Sequence, residues 1–173
     1  ALSGLIAENM VRGPAWRFLE IGHRLERALS ICRITRQLAT HGDPADALGA
    51  LLDLCDSQIV YRSRYLSAPL RNPVFDLVLL DGDNPRSLAF QVRAINEHIE
   101  ALPALTEDNV PERQLLDARA ILAPLQSLTA DAITDEHLRD IETRLLGLSD
   151  SISARYFLQF EKLEDRTNSS LLA

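Results

Sequence analysis

Apolar residues recur every three or four positions over most of the chain, and helix start signals punctuate them. Gly13-Pro14 opens the first such stretch, where Trp16, Phe18, Ile21, Leu25, Ala28, Leu29 and Cys32 form one stripe at helical spacing. His41-Gly42 closes it, and Asp43-Pro44 sets a cap residue before a proline at the first helical position. A second helix follows to about Leu66, with a break near Asp56-Ser57. Asn72-Pro73 repeats the cap-then-proline signature ahead of the short apolar segment Val74–Leu80. Asn84-Pro85 repeats it again, ahead of a helix to about Leu102. Pro103 and the acidic stretch Thr106–Pro111 read as a loop. Pro111 starts a helix through Leu115, Ala118, Leu122 and Leu125, with a kink or end at Pro124. Thr134-Asp135-Glu136 caps a last helix to about Glu161, with Leu138, Ile141, Leu145, Leu148, Ile152 and Tyr156 on its apolar stripe. Strand and hairpin signals are nearly absent. The pattern predicts an all-α fold: one bundle of six to seven helices spanning 1–173, the Trp16–Leu38 helix central and the last long helix packed along it.

Composition agrees with a single domain. The 173 residues are 46% hydrophobic and 25% charged, and a chain of this size buries roughly 70% of its unfolded surface without disulfides or metal. No apolar run approaches the ~20 residues of a membrane span, and no signal peptide opens the chain. The reading is therefore a soluble, cytoplasmic protein with no membrane partner. A net charge of −7 argues against a nucleic-acid partner. The chain begins Ala1-Leu2-Ser3 and is dense with structure signals at once, which reads as a C-terminal fragment of a longer protein.

Charge is unevenly placed: residues 1–71 carry a net +2 and residues 72–173 a net −9. Of 18 basic residues 17 are arginine. A GC-rich genome accounts for that bias. Guanidinium forks also bind carboxylate or phosphate bidentately, which ammonium cannot. An anion site, if present, belongs in the first part of the chain.

The familiar catalytic and cofactor motifs are missing. There is no phosphate-cradling GxxxxGK[ST], no GxGxxG after a strand and no nucleophile elbow, so no cofactor is indicated. Cys32 and Cys55 lie on apolar helix faces, where a buried, inert thiol is the ordinary outcome. His23, His41, His98 and His137 form no metal-binding pair, and no metal site is assigned. Three constellations remain. Glu20, Arg24, Glu26, Arg27 and Arg33 share the first helix, Glu20 and Arg24 in i,i+4 relation. Tyr61, Arg62, Arg64 and Tyr65 form either an anion clamp with phenol donors or two inward tyrosines with arginines covering the face. Asp81-Gly82-Asp83-Asn84-Pro85-Arg86-Ser87 reads as a turn with Asn84 as helix cap and Arg86 in the first turn, a divalent-cation loop being the lesser alternative.

These blocks are also where the chain resembles a known family. Trp16-Arg17-Phe18-Leu19, then Gly22-His23-Arg24-Leu25-Glu26-Arg27-Ala28 with Arg33 beyond, is similar to the bacterial Alpha-E domain. Asp56-Ser57, Tyr61-Arg62, Arg64-Tyr65 and Leu79-Leu80-Asp81 through Ser87 resemble its later blocks, and Tyr156-Phe157 its C-terminal helix. His23 and Ser30 depart from the family's usual Arg and Asn. The resemblance implies a C-terminal copy of a repeated domain. The implied partner is the N-terminal remainder of the parent protein, with an ATP-grasp module acting in peptide ligation or modification.

Three functions follow as alternatives: a non-catalytic substrate-binding or docking domain for an ATP-grasp-type ligase, an enzyme using Glu26 with Arg and Tyr in acid–base work, or an oligomerisation bundle. A second copy of the chain is the partner in the last case, with an exposed apolar patch on the final helix as its marker. As to the site, Arg24, Glu26, Arg27, Arg62, Arg64 and Arg86 are expected to converge, with Tyr61, Tyr65 and Asp81 near them. The competing outcome is a dry, fully paired arginine–carboxylate network with no cavity, the commoner fate of such clusters.

Overall fold

A computed structural model describes residues 10–39, 45–103 and 112–157. The described residues are all-α. In chain order the helices are α1 (Pro14–Ala39), α2 (Ala45–Leu54), α3 (Gln58–Tyr65), α4 (Arg71–Phe75), α5 (Leu88–Glu100), α6 (Arg113–Ser127) and α7 (Asp135–Tyr156). A π-helical turn, Asp76–Leu80, follows α4, and a 3-10 turn, Ala130–Ala132, precedes α7. No helix among the described residues is long and apolar enough to cross a membrane.

Helix α1 is the axis of the bundle. Its 26 residues span roughly 39 Å at 1.5 Å per residue, and α5, α7 and α2 pack around it. Ile21, Leu25, Ala28, Ile31 and Cys32 are buried, while Trp16, Phe18 and Leu29 from the same stripe are half-buried. The six residues of the α7 stripe are all buried. Thr134 caps α7 by accepting from the His137 amide while the His137 ring accepts from the Thr134 amide.

The break between α2 and α3 has a specific cause. The Asp56 amide donates to the Asp53 carbonyl (3.0 Å) and the Ser57 amide to the Leu52 carbonyl (2.8 Å). That bond pair closes a helix when the next residue turns left-handed, and Asp56 does so at φ 49°. Asp56 thus occupies a position that usually calls for glycine.

Two expected starts move. Asn72 is not a cap: α4 begins at Arg71, so Pro73 lies inside the first turn, where a missing amide costs no helical bond. Asn84 does not cap α5 either, and Arg86 lies before that helix rather than in its first turn. Ser87 is the cap, its hydroxyl accepting from the Phe90 amide (3.1 Å). Asn84 is buried and otherwise engaged, donating to the Leu77 carbonyl (2.9 Å) and accepting from the Arg86 amide (3.2 Å). The wide π turn lets Leu77, Val78 and Leu79 all be buried in succession. Helix α6 runs past Pro124 and ends within a turn of it. His41-Gly42, Asp43-Pro44, Thr106–Pro111 and the tail Asp165–Ala173 lie outside the described residues.

Candidate functional site

The expected convergence of nine residues separates into two clusters and one outlier. The first cluster lies on α1. Glu20 and Arg24 form the i,i+4 ion pair (3.3 Å), and Arg24 also donates to Gln91 Oε1 of α5 (3.2 Å). Gln91 is fully buried, and its amide nitrogen donates to the Pro85 carbonyl (2.6 Å). A chain of polar contacts thereby ties α1 to the loop before α5 and holds Arg24 in place. Glu26 and Arg27 stand next along the helix, both exposed, and neither takes part in an ion pair among the described residues.

These side chains border a groove of two adjoining parts. A polar part of about 440 Å³ is lined by Glu20, His23, Arg24, Glu26, Arg27, Ser30 and Gln91. A smaller part of about 160 Å³ shares Arg27 and Ser30 with it and adds Ile31, Ile34, Leu54, Cys55, Asp56 and Arg86. Arg86 reaches the groove from the loop before α5, held loosely by Asp56 at 3.7 Å, with both side chains substantially exposed. The left-handed turn at Asp56 is what brings that carboxylate to the groove wall.

Cys55 lines the groove without being reactive. Burial, reinforced by the Asp56 carboxylate and only partly offset by Arg27, pushes its thiol up to about 11. Cys32, inside the bundle, is pushed up to about 12, chiefly by burial. Burial thus favours the protonated thiol at both, the setting of a packed rather than a nucleophilic cysteine.

The second cluster is structural in its contacts. Tyr61 is buried, its hydroxyl donating to the Ala68 carbonyl and accepting from the Leu70 amide, each at 3.1 Å. Tyr65 packs against it with ring centres 4.9 Å apart. Arg64 pairs with Asp81, whose other oxygen accepts from the Asp83 and Asn84 amides (2.9 and 3.2 Å). Partial burial raises the Asp81 carboxyl, but the Arg64 hydrogen bond and charge together with the Asp83 and Asn84 amides outweigh it and hold the group below the usual carboxylate range. One Asp81 oxygen thus turns the loop and the other ties it to α3. Among the described residues no group of three metal-ligating side chains assembles. Arg62, the outlier, is exposed and joins neither cluster among the described contacts.

Arg33 does not pair with Glu26 two turns back. It bonds Glu142 of α7 (2.7 Å), as Arg36 does (2.7 Å) alongside Asp135 (2.9 Å). Sequence reasoning did not single out Gln91, Leu54 or Asp56 as groove residues. A glutamine inside the apolar stripe of α5 was the available signal for the first. On α7, exposed Leu146 and Phe157 are separated by three turns bearing exposed Asp150 and Ser153, so they form no continuous apolar patch.

The chain is 30% identical, over 88% of its length, to an uncharacterized protein of Mycobacterium bovis and to uncharacterized proteins of two strains of Mycobacterium tuberculosis. It spans only 19% of the length of those relatives. No solved structure matches it. The Alpha-E family, described as a predicted alpha-helical domain with a conserved ER motif, matches residues 1–157. Glu-Arg occurs twice among the described residues, at 26–27 and 112–113, and the first stands at the centre of the α1 groove. With an all-α bundle and a Glu-Arg pair on its central helix, this chain belongs to the Alpha-E family.

Proposed function

We infer that this Alpha-E domain is a non-catalytic substrate-binding domain serving an ATP-grasp-type peptide ligase or amidoligase, with the α1 groove taking an anionic group of the substrate. The observation that carries this reading is the state of Glu26 and Arg27. They are exposed and free of ion pairs among the described residues, at a groove large enough for a small ligand. The charged neighbours Arg24, Arg64, Asp81, Arg33 and Arg36 all have protein partners. Arg27 and Arg86 line the smaller part of the groove and offer two guanidinium forks to one carboxylate or phosphate. Glu26 supplies an acceptor beside them for an ammonium or amide N–H. Recognition suits these residues better than proton transfer, because a guanidinium holds its proton and Glu26 is exposed among the described residues. The link to a ligase rests on the family resemblance, and the several-fold greater length of the relatives leaves room for such a module in them.

Titrating the isotope-labelled chain with inorganic phosphate and with a dipeptide bearing a free carboxylate tests the reading. Amide shifts are expected at Glu26, Arg27, Ser30 and Arg86, with affinity about tenfold weaker in Arg27→Ala. Shifts elsewhere only, or none with either probe, sink it.

A further inference from the structure

A cavity larger than either part of the α1 groove lies away from Glu26-Arg27, between α6 and α7. It measures about 560 Å³, within the range of small-molecule sites. Three features there bear on a ligand.

The first is Gly147. It sits inside the 22-residue helix α7, where glycine weakens a helix relative to alanine, yet a β-carbon added there meets nothing within 4 Å. Unlike Gly22 and Gly49, it borders this groove. Leaving out the side chain opens space without relieving any clash. The second is a pair of unmet polar atoms. Gln114 is 6% exposed and donates to the Ser151 carbonyl (3.2 Å), but its Oε1 has no partner, and neither has the hydroxyl of Ser151. Both residues line the groove. A buried acceptor left unpaired is costly, and native proteins keep few. The third is a set of guanidinium groups. Arg113 and Arg144 border the groove, held only by acids on their own helices, Asp117 at 3.7 Å and Asp140 at 2.7 Å. Arg155, also on the border, is fixed by a two-pronged bond to Glu112 (3.0 and 3.2 Å).

We propose that the α6–α7 groove is a second ligand site of this domain, for a small organic anion that also carries an N–H donor. The charged group, carboxylate or phosphate, meets Arg113 and Arg144, which exchange exposed i,i+4 pairs of little worth for charge-assisted bonds to the ligand. The N–H donates to Gln114 Oε1, and the Gln114 amide gives up its 3.2 Å bond to the Ser151 carbonyl in exchange. Because that oxygen is shielded, the Gln114 amide must turn toward the groove about its terminal torsion, which is soft. The body of the ligand lies where the Gly147 side chain is missing.

The test is a calorimetric and isotope-edited titration of the whole chain with an acetylated amino acid as the carboxylate source and adenosine monophosphate as the phosphate source. At least one probe is expected to shift the amides of Gln114, Gly147 and Ser151. Gly147→Leu fills the groove and is expected to abolish those shifts while Tm holds or rises. Arg144→Gln weakens binding about tenfold with Tm unchanged, and Arg27→Ala leaves these shifts intact. Which probe binds decides between the two anion sources. Failure of both probes overturns the proposal. So does unchanged binding in Gly147→Leu, or in Arg144→Gln should the leucine variant not fold.

Discussion

Helix α1 presents arginines at two places along its length, with acids of its own only at the earlier one, and the two sets end differently. At its C-terminal half Arg33 and Arg36 reach across to Glu142 and Asp135, and Arg139 adds a further bond to Asp135 (2.6 Å). Two turns earlier Glu26 and Arg27 face a groove with no ion pair among the described residues. Having an arginine does not separate the two. What separates them is the opposing element. Helix α7 presents acids that pair with Arg33 and Arg36. Among the described residues the one acid facing Arg27 across the groove, Asp56, pairs with Arg86 instead. Charges on a helix take their value from what stands across from them, since exposed pairs along one helix are worth little.

The largest effect expected follows from removing the shared acid of the closed cluster. Glu142→Ala strips two arginines of a charge-assisted hydrogen bond and should lower Tm by roughly 4–8 °C in a chain of this size. A fall of under about 1 °C would erase the contrast between the clusters. Acid should act on the same cluster. The Arg33 hydrogen bond, with Arg36 behind it, holds the Glu142 carboxyl below its ordinary value, and Arg36 and then Arg139 do the same for Asp135. Folded values below the unfolded ones give stability that is complete above about pH 4.3 for Glu and about pH 3.9 for Asp. It is lost as pH falls through the lower folded values. Melting curves from pH 7 to 3 should show that decline, shallower in Glu142→Ala and unchanged in slope in Arg27→Ala.

Smaller effects belong to the open cluster. Arg27→Ala should move Tm by no more than about 2 °C, the expectation for an exposed side chain without a partner. A larger drop would mean that Arg27 belongs to a structural network after all. The mildest change is Asp56→Asn. Asparagine tolerates the left-handed turn as aspartate does, so the fold is kept, while Arg86 loses its 3.7 Å partner. Phosphate or carboxylate should then bind the groove about twofold more tightly, as the modest worth of an exposed pair implies. Weaker binding would assign Asp56 to the ligand rather than to Arg86.

The helices were legible because each carries its own signal. The stripes of α1 and α7, the Thr134 cap and the break at Asp56 depend on residues within a turn or two of one another. Errors fell where a local signal had a distant competitor. Asn84 has the residue type and the following proline of a helix cap, but its side chain is taken by Leu77, seven residues back, and Ser87 caps instead. Arg33 had an acid two turns away on its own helix and found a better one on α7. Tyr61, a candidate donor by type, is held by the Ala68 carbonyl and the Leu70 amide.

Periodicity, caps and glycine–proline punctuation by themselves determined that this chain is an all-α bundle with α1 at its axis, because helix formation and amphipathic burial are set by neighbours in sequence. The Glu-Arg block on that axis was likewise readable. Which charges are neutralised and which stay open was decided only in three dimensions. Coulombic pairing and desolvation fall off over a few ångströms in space, and residues 33 and 142 or 24 and 91 become neighbours only once the helices have packed.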